Sequence, residues 1–225
     1  MKKKKFTAVI LARGGSKGIK LKNLVKINSK PLIYWTIKSC LKSKKIQSTW
    51  VSTDNELIAS YSKKLGANII LRPNKYAKDN SSSDLAWLHA IKFLKKEFLA
   101  KNVIGLQPTS PIRGKSDLDN ACEVFLNNKY DSLFTAMGIS DHFIWKLKNK
   151  KLTANYNYKQ RPLRQKIKPK YLENGSFYIF NTNKFLKYKS RLFGKIGVYV
   201  MKKINSLQFD DPEDIKLFNN FKKFY

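Results

Sequence analysis

The sequence predicts an α/β protein whose sheet is mostly parallel. Three observations carry that expectation. Short apolar runs alternate with helix-length segments from Phe6 as far as Met137. The first run, Phe6–Ala12 (FTAVILA), is apolar without alternation, the pattern of a strand buried on both faces. The intervening segments are long enough for right-handed crossovers, which place successive strands in parallel.

After that first strand comes a glycine-rich loop, and then Pro31–Ser43 reads as a helix. Pro31 suits its first position, where a missing N–H is no loss, and Leu32, Trp35, Ile37 and Leu41 are apolar. Gln47–Thr53 follows as a strand, and Asn55–Leu65 as a helix stopped by Gly66, a residue at home in a left-handed C-terminal cap. Asn68–Leu71 is the third strand. Ser83–Leu99 is a longer helix offering Leu85, Leu88, His89, Phe93 and Phe98 to its inner face. Asn102–Gln107 is the fourth strand, Asp117–Asn128 a helix and Ser132–Met137 the fifth strand. Ile139–Leu172 is basic and aromatic without a clear period, and reads as linker, arm or subunit contact. Strand signals return at Gly175–Asn181 and Ile196–Met201, before a final helix at Asp211–Phe221. Ligands of such sheets bind outside the carboxyl ends of the strands, so the loops after Ala12, Leu71 and Gln107 are the first places to look.

The chain has 225 residues, the length of one domain, with 42% hydrophobic and 13% aromatic content that argues against disorder. Lys plus Arg number 46 against 15 Asp plus Glu, a formal net charge of +31. That charge invites a nucleic-acid reading. However, only six of the 46 are arginine, the residue whose planar fork reads phosphates and bases, and the lysines are spread along the whole chain. The excess therefore reads as solvated surface before it reads as polymer binding. No apolar run approaches the roughly 20 residues that span a bilayer. The run after the basic N-terminus is too short for a signal peptide. Cys40 and Cys122 lie far apart in helix-like segments and read as small buried hydrophobes in a reducing cytoplasm. With only His89 and His142, no zinc site is expected.

The loop Leu11-Ala-Arg-Gly-Gly-Ser-Lys-Gly18 carries the first chemical signal. Gly14, Gly15 and Gly18 permit close backbone approach, successive N–H groups can form an anion nest, and Arg13 and Lys17 add positive charge. The spacing is neither that of the P-loop nor G-x-G-x-x-G. Directly after a buried strand, such a loop reads as a phosphate cradle.

Val9–Gly18 followed by Leu21-Lys-Asn-Leu24 resembles the N-terminal signature of the acylneuraminate cytidylyltransferases, the CMP-sialic acid synthetase family. Further matches follow in order: Ser52-Thr-Asp54, Leu71-Arg-Pro73, Leu106–Arg113 (LQPTSPIR), Arg161–Gln165 (RPLRQ), Glu173–Ile179 (ENGSFYI) and Asp210–Asp214 (DDPED). The resemblance covers essentially the whole chain. It implies a Rossmann-like nucleotide-transferase fold with a mixed, mostly parallel sheet, formed as a single domain over residues 1–225. It also implies a homodimer in which the arm 139–172 reaches toward the partner's active site. The implied reaction is transfer of CMP from CTP to the anomeric hydroxyl of a nine-carbon α-keto sugar acid, assisted by Mg²⁺.

The resemblance also implies roles for single residues. Arg13, Ser16 and Lys17, with the backbone of Leu11, Ala12, Gly14 and Gly15, hold the nucleotide. Lys22 and Asn23 lie near the α-phosphate and ribose, and Lys22, Arg13 and Asp210 carry the catalysis. Arg72 reads the cytosine edge, where local sequence alone allows a surface arginine before a prolyl turn. Ser83 touches the nucleotide, caps the following helix, or does both. Gln107, Arg164, Asn174 and Gly175 contact the sugar, Arg164 pairing with its carboxylate; a turn-forming Asn-Gly looks the same locally. Asp210 is the candidate Mg²⁺ ligand. The family commonly carries a second aspartate two positions earlier, where this chain has Gln208, and that departure removes one charge. Asp211 reads as a helix cap ahead of Pro212, not as the missing ligand.

Overall fold

The computed structural model describes residues 6–15, 18–78, 81–97, 101–139, 143–167 and 170–221. Its strands and helices run β1 (Phe6–Leu11), β2 (Lys26–Ile27), β3 (Lys30–Pro31), α1 (Leu32–Lys42), β4 (Ile46–Thr53), α2 (Glu56–Lys64), β5 (Asn68–Leu71), α3 (Ser83–Glu97) and β6 (Asn102–Leu106). They continue as α4 (Asp117–Asn127), β7 (Ser132–Ile139), β8 (Trp145–Lys148), β9 (Lys151–Ala154), β10 (Lys170–Asn181), α5 (Thr182–Tyr188), β11 (Ile196–Met201) and α6 (Pro212–Phe221). Seven strands form the main sheet in the order β11-β7-β10-β6-β1-β4-β5. β1 lies between β4 and β6, parallel to both, which is why its sequence is apolar without alternation. The fold is the α/β architecture expected.

The sheet is sandwiched between two layers. Phe6, Ala8 and Ile10 face one core with α1, α2 and α4, through Ile33, Ile37, Ile58, Ala121 and Phe125. Val9 faces the other core, with α3 and Phe185 of α5. The helix stops follow local chemistry. Asn55 caps α2 by accepting from the Ile58 N–H at 3.1 Å, and Gly66 after it has φ +95°.

Three expectations need correction. The inner face of α3 is Ala86, Trp87, Ala90, Ile91 and Leu94, while Leu85 and Phe93 are exposed and Phe98 lies outside the described residues. The rotation is set by Trp87, whose indole lies flat over Gly105 of β6; a Cβ there would sit 2.6 Å from the ring, so only glycine admits it. The indole N–H donates to the Val9 carbonyl at 3.4 Å. Second, the strand expected at Gly175–Asn181 begins five residues earlier, and β10 runs antiparallel to both neighbours. Its first four residues, Lys170–Glu173, are exposed, and Asn174-Gly175 interrupts the apolar run, so the start of the strand lacks the signal that reveals a central strand. Third, 139–172 is not irregular throughout: β8 and β9 form an antiparallel hairpin, and Phe143, Tyr156, Trp145 and Tyr158 pack along it in tilted and edge-on contacts. The four-residue strands and half-exposed rings gave the hairpin no amphipathic period to read.

Candidate active site

A cleft of about 270 Å³ opens where β1, β5 and β6 end. Its position follows from topology: parallel strands present their carboxyl ends on one edge, and the loops leaving them converge there. Of the residues singled out from the sequence, Leu11, Arg13, Gly15, Lys22, Asn23, Arg72, Ser83, Gln107 and Asp210 all line it. Ala12 does not. It is fully buried in the core, and its N–H donates to the Ser52 carbonyl at 3.0 Å, stitching the loop to β4. Ser16 and Lys17 lie outside the described residues, as does His142.

The loop after β1 is held from both sides. The Gly14 N–H donates to the Asp54 carboxylate at 2.8 Å, and the buried Asn23 donates its amide to the Arg13 carbonyl at 2.8 Å. Asn23 therefore shapes the cradle as well as lining it. Arg13 donates to the Ala77 carbonyl at 3.5 Å, tying the loop to the segment after β5.

Arg72 is only 6% exposed, which overturns the reading of a surface arginine. Its Nη2 donates to the Ser52 carbonyl at 3.1 Å, while its Nε has no hydrogen-bond partner among the described residues. Burial pulls its pKa down, partly offset by Asp54 and reinforced by Arg13. Next to it, Tyr76 packs on His89, with ring centroids 5.1 Å apart. His89 is thus a packed helix residue, held below the usual histidine range by burial and by Arg72 and Lys75. The cap expected of Ser83 belongs to Ser82, whose hydroxyl accepts from the Leu85 N–H at 3.3 Å.

Behind the cleft, Arg113 clamps two strand ends. Its guanidinium donates to the carbonyls of Gln107 and Ser176 at 3.0 and 2.9 Å and to the Thr36 hydroxyl at 2.9 Å. Burial lowers its pKa to about 10, so it stays cationic at neutral pH. Asn174 and Gly175, expected at the sugar, are not in the cleft lining. The Asn174 amide is used internally, accepting from Thr135 Oγ1 at 2.6 Å and donating to Ser206 Oγ at 3.0 Å. Gly175 has φ +61°, where a side chain is strained, and marks the irregular register between Glu173 and Tyr178. Both shape the wall that carries Gln107.

The far rim is a strap, residues 208–210. Gln208 donates its amide to the Asn174 carbonyl. The Phe209 N–H donates to the Thr109 carbonyl at 2.8 Å, and its ring is buried with Ile27 and Leu32. Asp210 forms an ion pair with Lys22, Oδ1 to Nζ 3.0 Å, with the lysine side chain 14% and the aspartate 58% exposed. Asp211 is a helix cap, as expected: its carboxylate accepts from the N–H groups of Glu213 and Asp214 at 3.0 and 3.2 Å, and Asp214 accepts in return from those of Asp210 and Asp211. Asp210 is thus the one carboxylate in the described lining, and no group of three or more His, Cys, Asp or Glu positioned for a metal occurs among the described residues. An exposed carboxylate at the rim of a cationic cleft fits Mg²⁺ held jointly with substrate phosphates, not in an all-protein cage.

Tyr76, Lys78, Ser81, Pro108 and Thr109 also line the cleft and were not singled out. Their signal was positional: they lie in the two loops that the strand-end rule marks, after Leu71 and after Gln107. The backbone of Arg164 sits in a short 3₁₀ turn, Arg164–Lys166, and its side chain lies outside the description. Arg161 stacks on Phe143, 4.3 Å from the ring centroid, and so serves the arm itself. No helix among the described residues is long and apolar enough to cross a membrane.

Residues 7–224 match the cytidylyltransferase family. The chain is 35% identical over 215 residues to N-acylneuraminate cytidylyltransferase A of Danio rerio, covering 93% of this chain and 49% of that protein. It is 30% identical to the N-acylneuraminate cytidylyltransferase of Escherichia coli O18:K1:H7, over 95% and 51%. The chain thus spans about half the length of these relatives. It spans 91% of a post-translational flagellin modification protein B of Campylobacter coli, at 29% identity and 92% coverage of this chain. Among solved structures, a CMP:2-keto-3-deoxy-manno-octonic acid synthetase complexed with CTP superposes with TM-score 0.72 at 16% identity, covering 97% of this chain and 98% of that one. A 4-diphosphocytidyl-2C-methyl-D-erythritol synthase of Anaerococcus prevotii gives 0.70 at 14%, over 97% and 98%; at such identities both show the fold. With residues 7–224 of its 225 matched to one family, the chain belongs to the cytidylyltransferases.

Proposed function

We propose that the protein transfers CMP from CTP to the anomeric hydroxyl of a sialic-acid-like nine-carbon α-keto sugar acid, of the N-acetylneuraminate or legionaminate type. One observation carries this reading: Arg13, Lys22, Arg72 and Lys78 line the cleft against the single carboxylate of Asp210. Four cations at converging strand ends match a triphosphate and an acidic acceptor. The sugar hydroxyl attacks the α-phosphorus, the bond to the bridging oxygen of the β-phosphate breaks, and pyrophosphate leaves while the hydroxyl proton is released. Arg13, the loop amides and Lys17 neutralise the triphosphate, and Lys22 stabilises charge on the α-phosphate. The free Nε of Arg72 supports a role at the cytosine edge. Gln107 faces the sugar and Arg164 pairs with its carboxylate. Mg²⁺, held by Asp210, supplies further charge neutralisation at the phosphates.

The active form in this reading is a homodimer in the cytoplasm. The hairpin exposes Trp145, Leu147 and Leu152, with Tyr171 and Leu172 exposed at the start of β10, more apolar surface than a free arm needs. Cys40 and Cys122 are unbridged and buried, as a reducing compartment requires. The decisive assay supplies Mg²⁺, CTP and a panel of nine-carbon α-keto acids and measures pyrophosphate. Release with N-acetylneuraminate or legionaminate supports the proposal; no release with any acid, across a wide Mg²⁺ range, sinks it.

A further inference from the structure

Lys22 and Asp210 are assigned to different partners, the nucleotide and the cation, yet in the structure they hold each other. Lys22 Nζ lies 3.0 Å from Asp210 Oδ1 and 3.4 Å from its backbone carbonyl oxygen. Asp210 is the only acid in the described lining, so no second carboxylate shares the charge of Lys22 there. The strap cannot carry the pair apart: Gln208 is bonded to the Asn174 carbonyl, Phe209 to the Thr109 carbonyl, and the Phe209 ring is buried. Gln208 adds no charge to the pair, and its amide donates to the Asn174 carbonyl outside the cleft lining.

From this geometry we propose that Lys22 is a place-holder for the divalent cation on Asp210, so that the cation enters only together with the nucleotide. The inference rests on the function proposed above. An ammonium at 3.0 Å neutralises the lone carboxylate and repels a free dication. When the triphosphate arrives, its oxygens offer Lys22 a stronger anion and offer the cation the ligands the protein lacks. Lys22 then rotates from Asp210 to the phosphates while the strap stays fixed. No bond is made or broken in the exchange.

The test is Mn²⁺ binding, followed by the relaxation enhancement of water protons on the full chain, with CTP and no sugar present. The wild type should show no stoichiometric Mn²⁺ binding alone at millimolar concentrations and one bound ion per chain once CTP is added. Lys22→Met should bind Mn²⁺ without nucleotide roughly fivefold more tightly than the wild type, the size expected for freeing a partly exposed carboxylate from its ion pair. Asp210→Asn should lose the CTP-dependent ion. Stoichiometric Mn²⁺ binding by the wild type without CTP, or unchanged or weaker binding by Lys22→Met, overturns the proposal. CTP binding measured in EDTA separates the two levels: if CTP does not bind at all, the functional reading fails; if it binds while Mn²⁺ enters alone, only the place-holder fails.

Discussion

The strap 208–210 and the hairpin formed by β8 and β9 both lie outside the main sheet, yet each residue of the strap is tied to a different part of the fold, while the hairpin is bonded strand to strand within the arm. Gln208 reaches β10, Phe209 the loop after β6 and Asp210 the loop after β1. In the hairpin, Ile144 bonds to Asn155 and Thr153 to Lys146, and Leu147 stays 71% exposed. The strap is anchored by the buried Phe209 ring, whereas the hairpin keeps apolar side chains outward. Local tethering, not distance from the core, is what separates the two segments.

The comparison breaks most readily at Asp210. Asp210→Asn should lower turnover about a thousandfold with little change in melting temperature, since one preorganised charge is removed from the transferring phosphoryl group; near-normal turnover would place the cation elsewhere. Phe209→Ala should cost about 3 kcal/mol of stability and take activity with it, because the buried ring is the strap's anchor. Thermal melts and turnover together check that, and an active, normally stable variant would show the strap needs no anchor. Arg164→Lys acts from the arm and should raise the sugar KM about tenfold, with the CTP KM nearly unchanged, because lysine lacks the bidentate fork; equal effects on both constants would contradict a sugar-side role. Replacing Trp145, Leu147 and Leu152 with serine should weaken self-association in sedimentation velocity while changing chain stability by less than about 0.5 kcal/mol per site. If the wild type is already monomeric, the hairpin has another partner.

The smallest effect is electrostatic. His89 is held below its ordinary value of 6.5 by burial, Arg72 and Lys75, so the unfolded chain binds its proton more readily. The stability contributed by its neutral form is complete above about pH 6.5 and is lost as pH falls through that value toward the folded one. His89→Phe should therefore narrow the difference between melting temperatures at pH 7.5 and 5.5 by about 1 °C.

Much of this site was legible because its residues sit at strand ends with distinctive chemistry. Arg13, Arg72 and Gln107 each follow an apolar run, and the glycines of the loop announce themselves. Asn174 misled for the opposite reason: at the sequence level a polar residue beside glycine looks the same whether it serves a ligand or the fold, and its internal partners Thr135 and Ser206 are 39 and 32 residues away. The face of α3 misled because periodicity cannot foresee that Gly105, on another strand, makes room for Trp87.

Alone, the amino-acid sequence determined the α/β class, most strand and helix positions, the glycine-rich loop after the first strand and the helix ends at Gly66 and Asp211, all of which depend on neighbours within a few residues. Tertiary structure alone decided that β10 runs antiparallel, that Asn174 and Arg113 brace the wall of the cleft, and that Lys22 meets Asp210 across 188 positions of chain. Those contacts join groups far apart in sequence, and their energies exist only once packing brings them within a few ångströms. The +31 charge divides the same way: its total is plain in the composition, but which few cations converge on one cleft is a property of the fold.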